Sequence, residues 1–176
     1  MSEQKETLLQ QQKANRPKIE EAINEYIEDE NAKKITLDFI AWLRKNKMSP
    51  SWSARNYWKV SCYWKDSCNK SKLFLIRVNK NVVIIERFYR DFTGDYQTFI
   101  INNNLQNLVC NNMTVCRRFE SKSCTGCPPS PDFTGISINI CGKEIKNICR
   151  GVIMKFVNPD YETIEGIKKL VEYNII

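Results

Sequence analysis

Between residues 16 and 30 the apolar positions Ile19, Ala22, Ile23, Tyr26 and Ile27 recur at three- and four-residue steps, and Glu20, Glu21, Glu25 and Glu28 fall on the remaining face. That spacing predicts an amphipathic, acidic helix that must dock on a core. A second helix is expected directly after it. Thr36 would be its N-cap, with Asp38 in the first turn, Ile35 stapled against Ile40, and Phe39, Ile40 and Leu43 as the buried stripe. Lys45-Asn46-Lys47 supplies a cationic ending that tolerates left-handed backbone, before Met48-Ser49-Pro50. Residues 1–15, glutamine-rich and poor in apolar surface, are expected to be a frayed or disordered leader.

The period then changes from helical to alternating. Segments 57–63, 73–78 and 82–88 are rich in aromatic and β-branched residues, and Asn79-Lys80-Asn81 reads as a hairpin loop between the last two. A helix is expected over 96–109, although three consecutive asparagines at 102–104 compete with it. Strands are expected at 135–140 and 144–149 around the turn Cys141-Gly142-Lys143, with another at 152–157. Asn158-Pro159-Asp160 reads as the start of a closing helix, with an N-cap and a proline at the first helical position, and Ile164, Ile167, Leu170 and Val171 facing inward. The order of elements implies an α+β fold, with helices packed on an antiparallel sheet of about five to six strands and a cysteine-rich loop inserted. A chain of 176 residues is expected to form one domain, here 16–176 with the acidic helix at its start.

Charge is unevenly spread. Residues 1–32 carry four Lys/Arg against eight Asp/Glu, residues 33–77 eleven against two, and the remainder twelve against ten. The basic stretch also holds Trp52, Tyr57, Trp58, Tyr63 and Trp64, interleaved with Arg55, Lys59 and Lys65. Such residues on a sheet surface form stacking platforms for single-stranded nucleic acid, but alternation also sends half of them into a core. Trp52, Trp58, Arg55 and Lys59 are the candidate residues for binding a small molecule or a protein partner, with nucleic acid as the alternative.

Histidine is absent, so no Ser-His-Asp triad, Cys-His dyad or H-E-x-x-H zinc protease site can be built from this chain. Six of the eight cysteines fall between Cys110 and Cys149, and Cys124-Thr125-Gly126-Cys127 has the spacing of a thiolate metal knuckle. No apolar run approaches the roughly 20 residues needed to span a bilayer, and the first residues show no signal-peptide pattern. A cytoplasmic protein with no membrane partner is therefore expected, where thiols stay reduced and clustering favours a metal. Cys116, Cys124, Cys127 and Cys149 are the candidate ligands of a structural zinc ion, with Cys110 and Cys141 as substitutes; free thiols are the plainer alternative. A thiol redox role for the knuckle is disfavoured by Pro128-Pro129-Ser130-Pro131, which cannot continue the helix that would depress a cysteine pKa.

Several stretches resemble a group of small bacterial proteins without assigned activity: Leu37-Asp38-Phe39-Ile40-Ala41-Trp42-Leu43-Arg44, Asn46-Lys47-Met48-Ser49-Pro50 with Trp52, and Asn56 with Trp58-Lys59-Val60-Ser61. The similarity continues through Cys124 and Cys127, Gly142-Lys143-Glu144-Ile145, Asn147-Ile148-Cys149, and Phe156 with Asn158-Pro159. The resemblance supports the cysteine pairing and implies no reaction. The chain is thus expected to be a non-enzymatic α+β module with a structural zinc site.

Overall fold

A computed structural model describes residues 8–53, 57–63, 70–87, 94–116, 136–140, 142–149 and 153–173. Three helices open the chain: α1 (Leu8–Asn15), α2 (Ile19–Tyr26) and α3 (Glu30–Lys45). Four strands follow, β1 (Ser51–Ser53), β2 (Tyr57–Tyr63), β3 (Lys70–Asn79) and β4 (Val82–Arg87), then α4 (Gly94–Asn102) and α5 (Gln106–Asn111). The chain closes with β5 (Ile136–Ile140), β6 (Lys143–Ile148), β7 (Met154–Val157) and α6 (Tyr161–Glu172). This is the expected α+β class.

The expected leader is helical from residue 8 onward. Within α1 Gln12 is buried and its Nε2 donates to the Val78 carbonyl at 2.9 Å, a polar anchor onto β3. α3 begins six residues before the expected cap. Asp29 is its N-cap, accepting from the Ala32 amide at 2.7 Å, and Glu30 fills the first turn. Thr36 sits inside the helix, buried, its hydroxyl donating back to the Ala32 carbonyl at 2.7 Å. That back-bond removes the polar cost of a mid-helix threonine. At the far end Met48 N donates to Leu43 O and Lys47 N to Arg44 O, with Lys47 at φ 61°, a paired-bond ending in which lysine occupies the left-handed position.

β1, β2, β3, β4 and β7 form one antiparallel sheet in that order. Register runs one row across all five strands, Trp52, Trp58, Ile76, Ile85 and Phe156. Successive residues on a strand face opposite ways, so this apolar row marks the face that the helices cover. Phe39 of α3 meets Phe74 edge-on at 6.0 Å, and Arg87 of β4 donates to the Leu170 carbonyl of α6 at 2.6 Å.

The strands expected to complete the sheet divide instead. Among the described residues β5 and β6 form a separate two-stranded ladder, and the residues Asn112–Cys116 tie it to the main sheet, pairing Met113 with Met154 and Val115 with Ile148. Asn147 at φ 60° lies within the register shift of the β5–β6 pair, between Ile145 and Ile148. The helix expected over 96–109 breaks at Asn104, φ 56°, where the asparagine side chains compete for backbone bonds: Asn103 Nδ2 donates to the Phe99 carbonyl. The last helix is capped by Asp160, not Asn158, through the Thr163 amide at 2.8 Å. Asn158 is held outside it at φ 45°, accepting from Val83 N at 2.7 Å, and Pro159 precedes the cap. At Gly166 a Cβ would run into the Leu108 side chain, so α5 and α6 touch because that position has none.

Candidate functional site

The cysteines come to different places. Cys62 lies on the covered face of β2, 4% exposed, and burial pushes its thiol up to about 11, partly offset by the nearby Arg87 charge. Burial penalises the thiolate and not the thiol, so the folded state loses stability relative to the unfolded chain only once the pH passes the unfolded thiol's pKa. Stability is therefore full below about pH 9 and declines as pH rises toward 11, by up to about 2 to 3 kcal/mol from this group. Urea titrations at pH 8 and pH 11 should show wild type losing about that much more than Cys62→Ala; equal losses would refute it. Cys110 is half-buried on α5.

Cys116 and Cys149 are brought to neighbouring chain segments. Cys116 N donates to Asn147 O at 2.6 Å and Cys149 N donates to Thr114 O at 2.9 Å, around the Val115–Ile148 bridge. Cys149 therefore stands opposite Thr114, and Thr114 and Cys116 share a side of their extended segment, so the two cysteines are diagonal neighbours on one face. Diagonal neighbours stand about 7–8 Å apart, beyond the roughly 4.4–6.8 Å between Cα atoms that a disulfide usually takes. Cys116 is buried, Cys149 half-buried. Thr114 Oγ1 is buried beside them with no hydrogen-bond partner among the described residues. Cys124, Cys127 and Cys141 lie outside the described residues, among which no group of three or more potential metal ligands occurs.

Of the expected ligand residues, Trp52 and Trp58 share the covered face of the sheet and Lys59 lies on the opposite one. Trp58 is 1% exposed, its ring meets Trp52 edge-on at 4.9 Å, and its Nε1 donates to the Pro17 carbonyl at 3.2 Å. Strand alternation puts it under the helices, while Lys59 is exposed on the opposite face. Arg55 lies outside the described residues. The basic stretch 33–77 is likewise split: Lys33 and Arg44 are on α3, paired with Glu30 and Glu20, whereas Lys59, Lys72 and Arg77 belong to the outer face of the sheet.

That outer face is the feature missed by reading the tryptophans as a surface. One row across it is Ser51, Lys59, Leu75, Glu86 and Lys155; the next is Arg77, Ile84 and Val157. Leu75 and Glu86 are buried at its centre, with Glu86 paired to Arg77 at 2.8 Å. Around them Lys59 is exposed, Val157 is 54% exposed, and the Arg77 guanidinium lies over the Tyr57 ring, 5.9 Å from its centroid. The signal was available in the alternation of 57–62, where Tyr57, Lys59 and Ser61 occupy one parity and Trp58, Val60 and Cys62 the other.

Two adjoining concavities of about 320 and 510 Å³ lie between α3 and the start of α6, sharing Asn31, Ile35 and Asp160. Their main polar groups are already committed. Asp29 and Asp160 cap helices, Asn158 accepts from Val83 N, and Asn81 Oδ1 accepts from Glu28 N at 2.8 Å. The groove is a junction that locks the β3–β4 turn to two helix starts.

Among the described residues no helix is long and apolar enough to cross a membrane. No protein-family model, curated protein or solved structure matches this chain.

Proposed function

We propose that this chain is a non-catalytic, cytoplasmic binding module whose C-terminal half is held by one structural zinc ion on Cys116, Cys124, Cys127 and Cys149. The observation that carries the reading is the pairing around Val115 and Ile148, which sets Cys116 and Cys149 on one face at the two ends of the stretch containing the knuckle. A spacing too wide for a disulfide suits two thiolates that each reach about 2.3 Å to a shared ion. The Thr114 hydroxyl adds a donor of the kind that steadies metal-bound thiolates from outside the ligand shell. Four thiolates leave no open coordination position, and the absence of histidine removes the commonest proton carrier near neutral pH, so the ion's role is folding and not reaction.

Ligand thiolates are not gathered before folding, so metal binding free energy becomes folding free energy for this half of the chain. Elemental analysis of protein purified anaerobically should give about one zinc per chain, lost in Cys124→Ser and Cys127→Ser and kept in Cys62→Ala and Cys68→Ser. Chelation should raise amide exchange in β5 and β6 while β2–β4 stay protected. Zinc-free protein from that preparation, or full zinc in both knuckle variants, would overturn the assignment.

A further inference from the structure

We infer that the outer face of the five-stranded sheet binds single-stranded nucleic acid. The inference rests on the binding-module reading and names its partner.

Three properties of the face converge on that ligand. Its charge is positive: among the described residues of the face, Lys59, Arg77 and Lys155 stand against the carboxylate of Glu86, whose charge is met by Arg77. Neither Lys59 nor Lys155 makes an ion pair among the described residues. They stand three strand spacings apart, roughly 14 Å, so one flexible polyanion lying across the strands would meet both.

The neighbouring row of the same face carries π and apolar groups. The guanidinium of Arg77 lies over the Tyr57 ring, and Ile84 and Val157 continue the same row with Val157 more than half exposed. Bases stack on aromatic rings and on guanidinium planes, and do so whatever their sequence, because every base has a π-face. An acidic protein would satisfy the lysines but not use this platform, and duplex backbone would offer no free base to it.

The cations of α3 provide an internal control, because they lie in the helix layer on the other side of the sheet. Fluorescence anisotropy with labelled single-stranded 20-mers of DNA and RNA, the matching duplex and polyglutamate as competitor tests the proposal. With about two to three phosphates neutralised, the slope of log affinity against log salt should be about −2, so that raising salt from 50 to 200 mM weakens binding roughly 15- to 20-fold. Tyr57→Ala should weaken it about tenfold or more, and the double change Lys59→Gln with Lys155→Gln should flatten the salt slope by about 1 to 2. Lys34→Gln with Lys45→Gln should leave both unchanged.

No binding at 50 mM salt would overturn the proposal, as would equal losses in the α3 control. Competition by polyglutamate as strong as by the oligonucleotide would replace it with an acidic protein partner. Zinc content is read on the same samples: loss of binding with zinc retained refutes the nucleic-acid assignment alone, and binding without zinc refutes the metal assignment alone.

Discussion

Trp58→Ala is expected to destabilise the protein by about 3 to 5 kcal/mol, the cost of deleting a large aromatic from a packed core. Trp58 is among the largest fully buried side chains and stands in the row that crosses all five strands. Three losses coincide there. A cavity opens under the helices, the edge-on contact with Trp52 disappears, and the Pro17 carbonyl at the entry to α2 loses its donor. Against a typical total of about 5 to 15 kcal/mol, this leaves a marginal fold. Trp58→Phe keeps most of the volume and strands only the carbonyl, so its cost should be about 1 to 3 kcal/mol. Equilibrium urea unfolding, with unchanged m-values, measures both; a cost below about 1 kcal/mol for alanine would contradict the core assignment.

Arg87→Ala should be of similar size, about 3 to 5 kcal/mol, because it removes a fully buried charged side chain together with its bond to the Leu170 carbonyl on α6. Arg87 lies opposite Phe74 and Met154 on the covered face, a position whose parity calls for an apolar residue. Burying a guanidinium costs free energy, so an apolar residue of similar length should recover much of what alanine loses. Arg87→Met is therefore expected to regain at least half of the alanine deficit. The same change removes the positive charge that lowers the thiol pKa of Cys62 and the phenol pKa of Tyr96, so both should titrate higher, read as thiolate and phenolate absorbance against pH. Methionine as damaging as alanine would show that the charge, and not the filled volume, holds β4 to α6.

Local patterns were legible where one interaction range decides them. The apolar stripes of α2 and α6, the alternation along β2 and the turn at Lys80 and Asn81 depend on neighbours within a few residues, and each appears where its period predicts. Helix starts were less legible. Asp29 and Thr36 are both good caps locally, and the longer helix prevails because Ala32 to Lys34 are compatible with it and Thr36 can bond back one turn. The same competition moved the last cap from Asn158 to Asp160, since Asn158 is engaged by Val83 across the sheet, a residue 75 positions away.

For the candidate sites the division is sharper. The presence of a C-x-x-C knuckle, the absence of histidine and the richness of Lys59 and Tyr57 in binding chemistry are properties of composition and spacing, and the sequence by itself determined them. Which cysteines meet, which tryptophan is hidden and which lysines share a face depend on pairing between strands far apart in the chain. A one-residue choice of register reverses every side chain on a strand, so only the tertiary structure decided that Trp58 is buried while Lys59 is not. It alone also joined Thr114–Cys116 to Asn147–Cys149 and brought Lys155 into line with Lys59, because that alignment is a sum of three strand pairings and no local window contains it.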